Sequence, residues 1–158
     1  MLFVTVGAQM PFDRMVRAVD VWAGARGRDD VLAQIGPAEY VPRHVRSTRF
    51  LEPPEFLRTY RDARVIVAHA GTGSILQALE LGKPILVMPR RAALRETRND
   101  HQVATAQKFE KLGIPVAWDE ESLAARLDDV ESLVAERRVG PHASPQLIAA
   151  LRAFLDRA

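Results

Sequence analysis

Short apolar runs alternate with longer amphipathic stretches from one end of the chain to the other. Residues 2–6 (Leu-Phe-Val-Thr-Val) form a nearly unbroken apolar run, the length and composition of a strand buried on both faces. From Pro11 to about Ala25, Phe12, Met15, Val16, Val19 and Trp22 recur at helical spacing. Residues 31–35 read as a second strand and residues 49–51 as a weak third. Pro53 and Pro54 then open a helix, a first-turn position that proline suits. Residues 64–68 (Arg-Val-Ile-Val-Ala) are a clear buried strand, with a helix from about Ser74 to Leu81 that stops at Gly82. Residues 85–88 make another strand, and residues 90–98 a polar loop. A helix from about Asn99 to Leu112 stops at Gly113, and residues 115–118 give a short last strand. Residues 120–138 read as one helix. Residues 144–157 read as a terminal helix with a stripe of Leu147, Ile148, Leu151, Phe154 and Leu155.

Strands and helices in alternation, with strands apolar throughout, predict an α/β fold: a Rossmann-like parallel sheet with helices on both faces. In such a sheet the ligand lies beyond the carboxyl ends of the strands, where the winding reverses. Attention therefore falls on three loops, residues 7–13, 69–74 and 89–102. The 158 residues make one domain of ordinary size, 1–158, with 144–157 as its terminal amphipathic helix.

Composition narrows the chemistry. The absence of cysteine removes disulfides, thiol nucleophiles and thiolate metal sites. Twenty-two Lys and Arg against 20 Asp and Glu leave a net charge of +2, with no basic stripe of the kind that binds nucleic acid. Most of the positive charge is arginine, which suits oxyanion recognition. No apolar run reaches the roughly 20 residues of a membrane helix, and the apolar start lacks the basic segment of a signal peptide. The expectation is a soluble, cytoplasmic protein.

The segment His69-Ala-Gly-Thr-Gly-Ser74 joins a buried strand to a helix. Its glycines let backbone approach a ligand closely, and the free N–H groups and dipole of the helix start favour an anion such as phosphate. The same letters also describe a plain helix-capping turn. A dinucleotide fingerprint is excluded, since it needs a third glycine and an acidic residue about 20 positions on, where this chain is basic. A P-loop is excluded too, because Gly82-Lys83 is followed by Pro84. Ser74 lacks the flanks of a nucleophile elbow. The stretch from Arg90 to Gln102 carries four further chemical candidates at its end, Asn99, Asp100, His101 and Gln102, as well as several arginines able to grip phosphate. It equally describes a solvated loop with Asn99 or Asp100 capping the next helix. His69 and His101 show no metal-ligand spacing, so no metal and no cofactor are expected.

Taken together, residues 3–9 with Pro11-Phe-Asp-Arg14, the His69–Ser74 loop, Gly82-Lys-Pro84, Val87-Met-Pro-Arg90 and Asn99-Asp-His-Gln102 resemble the C-terminal domain of family 28 glycosyltransferases. The stand-alone version is the most similar. It includes the small subunits of two-component bacterial exopolysaccharide glycosyltransferases and the soluble half of the eukaryotic lipid-linked UDP-GlcNAc transferase. The resemblance implies one half of a GT-B architecture that binds a UDP-sugar donor without metal. It also implies inversion at the sugar, a separate membrane-associated subunit that binds a lipid-linked sugar acceptor, and recruitment to the inner face of the membrane through that subunit. Gly7, Gln9, Gly71, Thr72, Gly73 and Ser74 would then face the donor diphosphate. His69, Gln77, Arg90, Glu96, Asn99, Asp100, His101 and Gln102 would face the ribose or the sugar. The general base is left open and can lie on the partner; His69 reads first as a donor contact and is this chain's one possible catalytic candidate. The family typically carries glutamate at position 77 and threonine at position 8, where this chain has Gln77 and Ala8. An amide offers the ribose one acceptor oxygen and no charge. That departure keeps a second reading open, a non-catalytic or degenerate nucleotide-sugar-binding subunit that scaffolds its partner. A half-enzyme alone should also expose an apolar docking patch and self-associate as a homodimer.

Overall fold

The computed structural model describes residues 1–136. The terminal helix expected over residues 144–157 lies outside the described residues. Five strands form one wholly parallel sheet in the order β3-β2-β1-β4-β5. They are β1 (Leu2–Thr5), β2 (Val31–Gln34), β3 (Arg46–Thr48), β4 (Val65–His69) and β5 (Ile85–Met88). The helices are α1 (Asp13–Arg26), α2 (Pro53–Asp62), α3 (Thr72–Glu80), α4 (His101–Lys111), α5 (Glu120–Asp128) and α6 (Val130–Glu136).

Because successive strand residues point to opposite faces, the apolar strands feed two cores. Leu2 and Val4 of β1, Val65 and Val67 of β4, and Leu86 and Met88 of β5 pack with α1, α5 and Val130 on one face. Phe3, Ile66, Ala68, Ile85 and Val87 pack with α2, α3 and α4 on the other. Phe3 stands edge-on to Phe56 and Tyr60, with ring centroids 5.5 and 5.9 Å apart. The Tyr60 hydroxyl donates to the Ser74 carbonyl at 2.7 Å and so ties α2 to the first turn of α3.

The chain winds outward from β1 to β2 and β3, then returns past β1 to β4 and β5. Its crossovers change faces accordingly: α1 covers one face and α2 and α3 the other, as crossovers of constant hand require when the winding reverses. The reversal falls between β1 and β4. The loops after these two strands, which carry Gly7 and Gly71, therefore part to either side and leave a crevice.

Three sequence-based expectations change. The weak third strand is residues 46–48, not 49–51. At residue 51 the N–H goes to the Gln34 side chain instead of a strand ladder, and Phe50 is 53% exposed. The strand expected at 115–118 reduces to a single parallel bridge, Val87 to Val116. The helix expected over 120–138 breaks at Asp129, whose carbonyl accepts both the N–H and the hydroxyl of Ser132. Gly82 and Gly113 take positive φ just past the C-caps Leu81 and Leu112 of α3 and α4, at the stops read from the sequence. No helix among the described residues is long and apolar enough to cross a membrane.

Candidate functional site

The crevice at the switch point is built around one imidazole. His69 ends β4, and its ring lies between Gly7 and Gly71. A Cβ added at Gly71 would come within 2.2 Å of Nε2, and one at Gly7 within 2.8 Å of Cε1. Both positions are glycine because the ring occupies the space of their side chains. Gly7 also takes a φ of +78°, and its N–H is received by the Thr5 hydroxyl at 3.3 Å.

Burial lowers the His69 pKa to about 4, helped by the charges of Arg90 and His101 and opposed by the Thr5 backbone. The ring is therefore neutral at pH 7. Its Nδ1 is sealed from solvent and has no hydrogen-bond partner among the described residues.

Beside the ring, Gly71 caps α3, and no side chain caps the helix. Among the described residues, the N–H groups of its first turn thus lack the oxygen partner that an N-cap side chain normally supplies. Gly73 is exposed, has an ordinary backbone, and a Cβ there would meet nothing within 4 Å. The fold does not require glycine at that position. Thr72 and Ser74 are partly buried on the same turn, while Gln9 lies exposed in the β1–α1 loop. An anion with several acceptor oxygens could be held here by backbone donors and the helix dipole.

The second cluster divides. Asn99, Asp100 and His101 are exposed at the start of α4. Asn99 Oδ1 accepts from the His101 backbone N–H at 3.3 Å and contacts its ring Nδ1. Asp100 receives the Ala92 N–H at 2.8 Å. Gln102 is 5% exposed, and its Oε1 receives the Arg90 N–H. Glu96 is held by the Arg14 guanidinium through two bonds of 2.6 and 2.9 Å, and it also accepts the Arg91 N–H. Arg90 turns under the β1–α1 loop. These three side chains are engaged with the protein itself. Gln77 is partly buried on α3. The described residues contain no group of three or more metal-ligating side chains.

Sequence reading did not anticipate Arg14 as the partner of Glu96, nor Thr5 and Gln34 as polar groups beneath the crevice. Gln34 donates to Thr5 and accepts from the Leu51 N–H. A glutamine and a threonine at the ends of otherwise apolar strands were the available signal. A groove of about 840 Å³ also runs along α1 and α5, lined by Val21, Trp22, Leu94 and Ala124 among others. None of the loop glycines lines it.

Fold and crevice together define a doubly wound, Rossmann-like domain with its glycine loops gathered at the switch point. The chain belongs to the glycosyltransferase family 28 C-terminal domain family, which it matches over residues 1–138. It is 30% identical over 121 residues to the UDP-N-acetylglucosamine transferase subunit ALG13 of Mus musculus, covering 70% of this chain and 10% of that protein. The Saccharomyces cerevisiae subunit of the same name is 40% identical over 57 residues, 36% of this chain and 25% of that one. The chain thus matches only a tenth and a quarter, respectively, of these relatives' lengths. Among solved structures, the NMR structure of ALG13 superposes with a TM-score of 0.65 at 23% identity, covering 95% of this chain and 94% of that one. The glycotransferase of kitacinnamycin superposes at 0.58 and 21% identity, over 99% of this chain and 38% of that one.

Proposed function

We propose that this domain is the donor-binding half of a two-component glycosyltransferase, taking a UDP-sugar in the crevice between β1 and β4. The observation that carries this is the imidazole of His69 packed between two obligatory glycines beside an uncapped helix start. A diphosphate supplies the acceptor oxygens that this start lacks, and Gly73 leaves room for it.

When the glycosidic bond of the donor breaks, negative charge builds on the departing diphosphate. The N–H groups of residues 72–74 and the α3 dipole oppose that charge without any metal. His69, neutral at pH 7, can donate one hydrogen bond to a phosphate oxygen. The α4 start, with Asn99, Asp100 and His101, faces the sugar hydroxyls. The acceptor, a lipid-linked sugar of the kind used in exopolysaccharide assembly, is brought by a membrane-associated partner subunit at the cytoplasmic face. That subunit supplies the general base.

Gln77 favours a second reading, a donor-binding subunit without turnover that scaffolds its partner. A thermal-shift titration with UDP, UDP-N-acetylglucosamine, NAD and ATP tests donor binding. A ligand at about 100 times its dissociation constant adds roughly 2.7 kcal/mol, several degrees for a domain of this size. The uridine nucleotides should stabilise the chain, while NAD and ATP should not. No response to any uridine nucleotide would contradict the proposal. Transfer by the reconstituted pair, with Gln77→Glu alongside, separates the enzyme from the scaffold.

A further inference from the structure

Arg90 is 5% exposed, yet among the described residues no carboxylate lies within ion-pair distance of it. Arg14, Arg26, Arg28 and Arg64 each pair with an Asp or a Glu. The Arg90 guanidinium instead donates through Nη2 to the carbonyls of Val6 at 2.8 Å and Met10 at 2.6 Å. Those carbonyls bracket residues 7–9 of the β1–α1 loop, where Gly7 lies against the His69 ring. Its Cζ lies 5.0 Å from the centre of the Phe12 ring. Nε is sealed from solvent and has no acceptor among the described residues. Its own backbone N–H goes to Gln102, which fixes the start of the side chain against α4.

A buried cation without a directly paired carboxylate is costly, and its presence in a packed interior calls for a compensating gain. Burial pulls the Arg90 pKa down to about 10, with Glu96 acting against it through space. The group stays charged at pH 7. That charge reaches the crevice, because it is one of the influences that lower the His69 pKa. An anion in the crevice would supply the close counter-charge that no described carboxylate gives it.

We propose that Arg90 is a positioning residue for the anion crevice: from beneath the β1–α1 loop it fixes the backbone of residues 7–9 opposite the α3 start and sets a positive potential there, without touching the ligand. This rests on the reading of the crevice as a diphosphate site. A guanidinium is suited to the task because a single nitrogen can hold two carbonyls while the charge stays delocalised over the plane.

The test uses the full chain with Arg90→Met and Arg90→Lys, titrated by NMR with UDP and separately with uridine. In Arg90→Met, UDP should bind at least about tenfold more weakly, while uridine, which lacks the diphosphate, changes less than about twofold. Arg90→Lys keeps the charge and should recover most of the UDP affinity. In the ligand-free protein, the His69 ring titration should move upward in Arg90→Met and stay near wild type in Arg90→Lys. A role limited to holding the fold would lower both affinities together and would not follow the charge. Parallel loss of UDP and uridine, or unchanged UDP binding in Arg90→Met, would overturn the proposal. If wild type binds no UDP, the diphosphate reading fails. The His69 titration then still decides whether Arg90 charges the crevice, and an unmoved midpoint overturns that as well. Should Arg90→Met not fold, Arg90→Lys decides: UDP affinity falling in step with uridine affinity counts against the proposal.

Discussion

The ring of His69 occupies the volume that a side chain at position 71 would need, with Nε2 2.2 Å from where the Cβ of an alanine would stand. The backbone at Gly71 is ordinary, with φ −86°, so the constraint is steric alone. Gly71→Ala is expected to displace the imidazole, lower the melting temperature by several degrees and abolish donor binding. Gly73→Ala reverses the first effect. With open space around it and alanine favoured over glycine in helices by about 1 kcal/mol, it should leave stability equal or higher while weakening UDP binding tenfold or more. Paired melting curves and UDP titrations check both variants. Unchanged UDP affinity in Gly73→Ala would mean that no ligand uses that space.

The neutral state of His69 has a pH signature. The unfolded imidazole takes up its proton near 6.5 and the folded one near 4. Between those values the unfolded state holds more protons, so stability falls as pH falls from about 6.5 to 4, by up to about 3 kcal/mol. Below 4 both states are protonated and the loss is complete. Donor affinity should be flat from pH 6 to 8. An NMR titration of the ring carbon Cε1 reads the midpoint directly, and a value near 6.5 would contradict the buried, neutral ring.

Asp20 anchors the connection between β2 and β3. It is 1% exposed and accepts the N–H groups of Arg43, His44 and Val45 and the hydroxyl of Tyr40. Burial alone would raise its pKa, but these hydrogen bonds outweigh burial and lower it below 3.8. Asp20→Asn is expected to cost about 3 kcal/mol. Because the folded pKa is depressed, this contribution is present above pH 4 and disappears as pH falls through the folded value. Urea midpoints of wild type and variant should therefore differ by a constant amount from pH 5 to 8 and converge below pH 4.

Glu96 separates a brace from a ligand contact. It and Arg14 are both nearly buried, and Arg14 also donates to the Pro89 carbonyl, so the pair ties α1 to the loop after β5. Glu96→Ala leaves the Arg14 cation without its main partner and should destabilise the protein by about 3 kcal/mol. At a temperature where the variant is fully folded, UDP affinity should change less than about threefold. A large affinity loss with little destabilisation would make Glu96 a donor contact instead.

Much of this arrangement is legible in the sequence because it rests on local rules. The runs in β1, β4 and β5 are apolar because both faces are buried, and a glycine loop between such a strand and a helix is visible as letters. β3 is not, because an edge strand can be polar on both sides: Arg46 and Ser47 are exposed, and the apolar letters that drew attention sit after the ladder. The break at Asp129 depends on Ser132 bonding back to it, which competes with helix only at close range. The parts played by Arg90 and Glu96 were beyond reach for a different reason. The partners that define those parts, Arg14 for Glu96 and the Val6 and Met10 carbonyls for Arg90, lie 80 or more positions away along the chain, and spacing carries no information about contacts made by folding.

The central claim is that the crevice between β1 and β4 receives a nucleotide diphosphate. Two-dimensional amide NMR of the full chain during UDP titration tests it most directly. Saturable shifts should concentrate at Gly7 and at residues 71–74, with smaller ones at the start of α4. An absence of saturable shifts, or shifts confined to the groove along α1 and α5, would contradict it.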